Sequence, residues 1–345
     1  MKSSTRTYIT LAIGFTGAGL ATAAGLPAGS LLGSALFVFI ASCGNISGGV
    51  PTRFRTVGFA VIGCSLGSSL TKNFVDQALH WPLSLFVLSV SITLIMVFCS
   101  WILIRFFNQS AETAILSTSP GALSYTLSIT AEGVGDARSI VIIQSIRILG
   151  LIIVLPLLLN QLPGSATQAA AGPGREVMGF GGFVVIFLIT LGAGRFLERF
   201  RVPSSYLLTG TVVSGITHVL DIVSGRPSPA ILFFGFAITG TVVGSRFSRI
   251  SMRDLRSLLK VSLIIFITSS LLSALFAALT ATILSLSFSE VFVAYAPGGV
   301  EAMAAMALSL GYDPAFVAGH HLFRIALLFV LVPLFLKLSC SIRQT

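Results

Sequence analysis

Two uninterrupted apolar runs set the terms for this chain, 82-PLSLFVLSVSITLIMVFCSWILI-104 and 261-VSLIIFITSSLLSALFAALTATILSL-286. A helix of about 20 apolar residues crosses the roughly 30 Å of bilayer hydrocarbon. The runs are continuous rather than alternating, which selects helices over a β-barrel. Only 9% of the 345 residues are charged, against about 25% in a soluble domain. The chain therefore reads as an all-α polytopic membrane protein. Its net charge of +10 sits between the apolar runs, so membrane orientation explains it better than nucleic acid does. Cys43, Cys64, Cys99 and Cys340 form no CxxC pair, which argues against a zinc site or a disulfide framework.

The chain also reads as one unit written twice. Residues 58-GFAVIGCSLGS-68 match 235-GFAITGTVVGS-245 at an offset of 177. At the same offset Pro120 pairs with Pro297, Gly121 with Gly298, Asp136 with Asp313, Gln144 with His321 and Arg147 with Arg324. Residues 26-LPAGSLLGS-34 match 202-VPSSYLLTG-210 at an offset of 176. The expected organisation is membrane repeat 1 over 1–160, a Gly/Ala/Pro-rich linker over 161–177, and membrane repeat 2 over 178–345. Residues 8–25 resemble a signal peptide, but their counterpart near 184–201 lies in mid-chain, so they are expected to be a retained helix.

Lysine and arginine set the expected orientation. Five crossings per repeat place helices near 8–25, 29–45, 56–72, 82–106 and 138–160, then 178–196, 204–220, 230–247, 258–286 and 314–337. With both termini cytoplasmic, 16 of the 21 Lys and Arg fall inside, 3 outside and 2 within the membrane. An even number of crossings would put the arginine-rich loops outside. The expectation is therefore two inverted repeats of about five transmembrane helices each. The remaining segments, 117–135 and 294–312, open on SPG and APGG and read as re-entrant or broken helices. Inverted repeats with broken helices are the plan of secondary transporters.

Arg147 lies 9 residues after Arg138, and Arg324 lies 10 after Pro314, about 14–15 Å along a helix. Both are expected near the bilayer centre, where an arginine costs at least about 2.5–3.5 kcal/mol and needs a partner or a cavity. Gln144 with Arg147, and His321 with Arg324, share a helix face; His320 lies one turn from Arg324. One reading is an anion site. The guanidinium forks would bind a carboxylate or phosphate. Backbone N–H groups after Pro120-Gly121 and Pro297-Gly298-Gly299 would add donors. His320, His321 and Glu301 would carry protons. The other reading is internal pairing, Arg147 with Glu132 or Asp136, and Arg324 with Asp313 or Glu301. A metal site lacks a third ligand at usable spacing. Asp136 and Asp313 read as helix caps. The 58–68 and 235–245 windows place small residues for close helix packing. No GxSxG, HExxH or P-loop pattern supports an enzyme, and no cofactor is implied.

The duplicated pattern Pro-Gly-(Gly)…Gly-x-Asp…(Gln/His)-x-x-Arg resembles that of the AbrB-type membrane proteins. It is strongest at 296-APGGVEAMAAMALSLGYDPAFVAGHHLFRI-325 and clear at 119-SPGALSYTLSITAEGVGDARSIVIIQSIRIL-149. The first copy departs from it at Ala122, Tyr125 and Leu127. The resemblance implies a duplicated bacterial inner-membrane protein, in a family labelled either as ammonia monooxygenases or as regulators of gene expression. It is distinct from the small soluble DNA-binding regulator of the same name. Redox metal ligands that a monooxygenase needs are not evident. The plan is also similar to carboxylate and glutamate transporters, at the level of fold alone. The expected function is a secondary transporter or exporter of a small anionic metabolite, with protons or sodium as coupling ion. The alternative is a membrane-embedded regulator or scaffold acting through its basic loops, which would also meet anionic lipids. Association with further copies of the chain is left open.

Overall fold

The computed structural model describes residues 3–70, 74–121, 123–162, 176–200, 202 and 204–344. Most of the expected linker (163–175), with Lys2, Lys72, Arg201 and Ala122, lies outside them. Among the described residues the structure is helical, apart from one isolated bridge between Val177 and Arg226. The first half runs α1 (Ser3–Ala23), α2 (Gly29–Cys43), α3 (Thr52–Gly67), α4 (Phe74–Leu79), α5 (Pro82–Phe107), α6 (Ala111–Thr118), α7 (Leu123–Ala131) and α8 (Ala137–Leu159). The second runs α9 (Phe180–Arg199), α10 (Ser205–Val219), α11 (Pro229–Ser245), α12 (Met252–Leu284), α13 (Phe288–Tyr295), α14 (Val300–Leu310) and α15 (Pro314–Gln344).

Among the described residues six helices are long and apolar enough to cross a bilayer: α5, α8, α9, α11 with the 3-10 turn that follows it, α12 and α15. The protein is thus a multi-pass, all-α membrane protein. Helices α2, α3 and α10, also expected as crossings, have only 15 or 16 residues, about 22–24 Å of rise. In α2 and α10 the backbone itself sets the ends. Ala28 and Ser204, immediately before α2 and α10, are left-handed, as are Asn45 and Asp221 after them, and Asn108 and Ser285 after α5 and α12. These six non-glycine residues fall in pairs 176, 176 and 177 residues apart, the spacings of the sequence windows.

The chain divides into two compact units, each drawing on both halves. The first holds residues 1–80, 152–249 and 301–317; the second holds 81–151, 250–300 and 318–345. In the first unit α2 packs on α1 and α11, and α3 on α10 and α11. The small-residue windows make these approaches close. A Cβ on Gly244 would sit 2.5 Å from the Ala35 carbonyl oxygen, and one on Gly67 would sit 2.5 Å from that of Thr211. Hydroxyls lock the same contacts. Ser214 donates to the Cys64 carbonyl (2.7 Å) and Ser42 to that of Gly244 (3.1 Å). Val61, Cys64, Met178, Phe183 and Ile186 form an apolar cluster there.

In the second unit α5 packs on α6 and α12. Their shared core joins Ile95, Cys99 and Leu103 to Ala114, Ile143, Val261 and Ile265. Leu259, Leu263, Ile267, Leu271, Leu275, Leu279 and Ile283 form an exposed apolar stripe along α12, whereas Ser262, Ser269, Ser273 and Thr280 are buried. Lipid is the physical partner for such a stripe. At 33 residues, about 50 Å, α12 exceeds the hydrocarbon thickness and must tilt or project.

Long helix α8 starts on Asp136, whose carboxylate accepts from the N–H groups of Arg138 (3.1 Å) and Ser139 (3.2 Å) and from the Ser139 hydroxyl (2.5 Å). Asp313 serves α15 likewise, accepting from Ala315 N–H at 2.8 Å. Partial burial raises the Asp136 pKa, but the Ser139 and Arg138 hydrogen bonds outweigh it and leave the carboxyl below its ordinary value. A depressed carboxylate stabilises the fold above the unfolded pKa, and the gain vanishes as pH falls through the folded one. Asp136→Ala is therefore expected to cost about 1 kcal/mol at neutral pH. The gap to wild type should narrow in acid; equal unfolding midpoints at neutral pH would refute the cap.

Candidate functional site

Two helix breaks organise the site, and proline dictates both. The residue before a proline is forced out of the helical region. Ser119 (ψ 115°) ends α6 before Pro120, and Ala296 (ψ 134°) ends α13 before Pro297. Sequence reasoning expected a re-entrant or broken helix at 117–135 and at 294–312. The structure shows two helices at each break, α6 then α7 and α13 then α14, one on either side of the Pro-Gly step. The last carbonyls of α6 and α13 have no intrahelical partner, and they carry the negative end of the helix dipole.

Arg147 and Arg324 answer those carbonyls. Arg147 Nη2 donates to the Ser119 carbonyl (3.2 Å) and Nη1 to that of Thr118 (3.3 Å), with a longer contact to Ser117 (3.5 Å). Arg324 Nη1 donates to the Ala296 carbonyl (2.6 Å) and Nη2 to that of Gly298 (2.5 Å). Both arginines are 0% exposed. One turn earlier, Gln144 Nε2 donates to the Leu116 carbonyl (2.7 Å), and His321 Nε2 pairs with that of Val293 (3.0 Å). A carbonyl only accepts, so His321 carries its proton on Nε2. Leu116 and Val293, like Ser119 and Ala296, are 177 residues apart. The two halves thus make the same two contacts with the same spacing.

Each half also keeps a buried donor and a buried acceptor without a partner among the described residues. These are Arg147 Nε with Gln144 Oε1, and Arg324 Nε with His321 Nδ1. The breaks lie together in the second unit. A Cβ on Gly121, where φ is +81°, would fall 2.5 Å from Arg324 Nη2 and 2.8 Å from the Gly298 carbonyl oxygen. Ion pairs join Arg138 to Asp254 and Arg195 to Glu198; Arg147 and Arg324 take part in neither.

The remaining expected site residues sit as follows. Pro120, Pro297, Gly298 and Gly299 are buried at the breaks and Gly121 is partly buried; the Gly298 N–H turns back to the Ala296 carbonyl (2.7 Å). His320 is buried, its Nε2 sharing a 2.7 Å hydrogen bond with Ser84 Oγ beside the Trp81 ring. Tyr295 donates to the Ser84 carbonyl (2.5 Å) and meets Thr280 Oγ1 (3.0 Å). Sequence reasoning singled out none of Ser84, Trp81, Tyr295 or Thr280. Glu301 lies in the first unit, where Ser204 Oγ donates to it at 2.6 Å. The carboxylates of Asp136, Asp313 and Glu301 are thus engaged by caps and a serine. Among the described residues no group of three His, Cys, Asp or Glu could hold a metal ion.

Because His321 stands where the first half has glutamine, His321→Gln is expected to keep the Val293 contact and leave thermal stability close to wild type. His321→Leu strands that carbonyl, at about 1–3 kcal/mol. Equal unfolding midpoints for the two variants would refute the assignment.

The fold and site define a multi-pass helical membrane protein with two proline-broken helices, each closed by a buried arginine from a long neighbouring helix. A family model described as "Transition state regulatory protein AbrB" matches residues 30–339, and the chain belongs to this AbrB family. It is 23% identical over 298 residues to "Putative regulator AbrB" of Escherichia coli (strain K12), covering 85% of this chain and 84% of that protein. It is 23% identical over 314 residues to "Uncharacterized protein YhjN" of Bacillus subtilis (strain 168), covering 84% and 79%. No solved structure matches it significantly.

Proposed function

We propose that the protein is a bacterial inner-membrane carrier, with both termini cytoplasmic, that moves a small carboxylate-type anion by alternating access. One observation carries this reading: two fully buried guanidiniums lie in one unit, with carbonyls as their partners and a free Nε–H on each. Two buried cations that meet neutral carbonyls rather than carboxylates are costly. An anion seated between them offsets that cost and offers acceptors to both Nε–H groups. Gln144 Oε1 and His321 Nδ1, left as acceptors, suit a solute that also carries a hydroxyl or a proton. Broken helices near such a site are the usual arrangement in carriers. No redox chemistry is part of this reading.

The test is uptake by the purified protein in liposomes, over a panel of small mono- and dicarboxylates and phosphate. Arg147→Lys and Arg324→Lys keep the charge and lose the fork. Each is expected to slow uptake at least about tenfold, the worth of roughly 1.4 kcal/mol. If no anion moves, or both lysine variants transport normally, the reading fails.

A second reading has support of its own. Arg253, Arg256 and Lys260 are exposed at the start of α12, a basic surface suited to anionic lipid or a cytoplasmic partner, and one relative bears a regulator's name. Co-purification of a cytosolic protein that is lost when these three are replaced would favour a regulator or scaffold.

A further inference from the structure

We propose that Arg147 and Arg324 are resident cations. Each guanidinium fills the place at a broken helix where a cation-coupled carrier holds a mobile sodium ion, so these carbonyls take no sodium. Carbonyls at the C-terminal end of a half-helix form an electronegative cluster, and in carriers such clusters coordinate the coupling cation. Here the Ser119 and Thr118 carbonyls at the first break, and those of Ala296 and Gly298 at the second, are already engaged by N–H donors. The donors are tethered to α8 and α15, so they cannot dissociate into the water on either side.

Space argues the same way. Beside Arg324 Nη2 there is no room for a methyl group on Gly121 without a 2.5 Å contact, so sodium with its roughly 2.4 Å oxygen shell (the range of hard cations) cannot share the position. The repetition argues it a third time. The arginine meets the carbonyl before each proline, Ser119 and Ala296, in both halves. A solute held there would be balanced by the protein's own two charges, and its movement would need no sodium. That last statement rests on the proposed carrier function; the occupancy of the carbonyls does not.

The experiment uses the full chain in lipid nanodiscs. Thermal unfolding is compared in sodium chloride and in choline chloride at equal ionic strength, and equal midpoints are expected. A sodium-specific rise, the mark of an ion binding the folded state, overturns the proposal. In parallel, Arg324→Gly is measured with and without dilute methylguanidinium chloride. The added cation is expected to raise the variant's midpoint and leave wild type unchanged. A variant that folds and gains nothing from it overturns the proposal; if the variant does not fold, the wild-type comparison decides alone. Liposome uptake is then repeated with sodium replaced by choline. Equal rates support the proposal and dependence on sodium overturns it; if no solute moves in either medium, the carrier reading fails and the unfolding data still decide the occupancy.

Discussion

Replacing Arg324 by alanine is expected to destabilise the protein by several kcal/mol, the largest effect of any single substitution considered. The change leaves the buried Gly298 carbonyl without its donor, at about 1–3 kcal/mol, and leaves the Ala296 carbonyl with the Gly298 N–H in place of the guanidinium. It also removes the positive charge facing the end of α13, worth up to ~2 kcal/mol when partly buried. One term runs the other way, because a buried cation no longer has to be desolvated. That term limits the loss without reversing it, since the charge-assisted hydrogen bonds hold the break in place. Arg324→Lys should fall between, because an ammonium lacks the planar fork that reaches two carbonyls together. Thermal unfolding in a fixed detergent orders the three proteins. An alanine variant as stable as wild type would show that the guanidinium does not secure the break.

Gly121→Ala is expected to be nearly as damaging, for two separable reasons. Its φ of +81° costs an L-residue about 1–2 kcal/mol. The added Cβ also meets Arg324 Nη2 at 2.5 Å and the Gly298 carbonyl at 2.8 Å, so the arginine or the second break must shift. Gly133 isolates the first reason, with φ +89° and nothing within 4 Å of a built Cβ. Gly133→Ala should show the conformational cost alone, and Gly121→Ala clearly more. If the two variants lose equal stability, the close approach of the breaks is not as described. If uptake is measurable, Gly121→Ala should impair it and Gly133→Ala should not.

The sequence exposed the breaks because proline and glycine act locally, and it exposed the arginines because charge is rare in an apolar run. It also exposed the spacings of 176 and 177 that reappear in the paired left-handed residues, and that of 177 in the paired carbonyl contacts. It did not expose what the arginines touch. Carboxylates are visible as letters, so Glu132, Asp136, Asp313 and Glu301 were the natural candidates for internal pairing. A backbone carbonyl has no letter, and its availability depends on where the helix stops. Once α6 and α13 are seen to end at Ser119 and Ala296, orphan acceptors are required there, and the arginines supply the donors. The short helices α2, α3 and α10 were also hard to delimit. The ends of α2 and α10 are set by left-handed Ala28, Ser204, Asn45 and Asp221, and of these only the asparagine and aspartate hint at it in composition. Ser84, Tyr295 and Thr280 look like ordinary helix residues until the fold gathers them near His320.

Interleaving of the two halves within each unit bears on how the protein is made. Helix α3 leaves the ribosome long before α10 and α11, yet its glycines Gly58, Gly63 and Gly67 face those two helices. Helix α3 must therefore enter the bilayer and wait, with its glycine face unmatched, until more than half of the polypeptide has been synthesised. Insertion and compaction are separate events in this molecule, and the interval between them is when an insertase or chaperone has the most to guard.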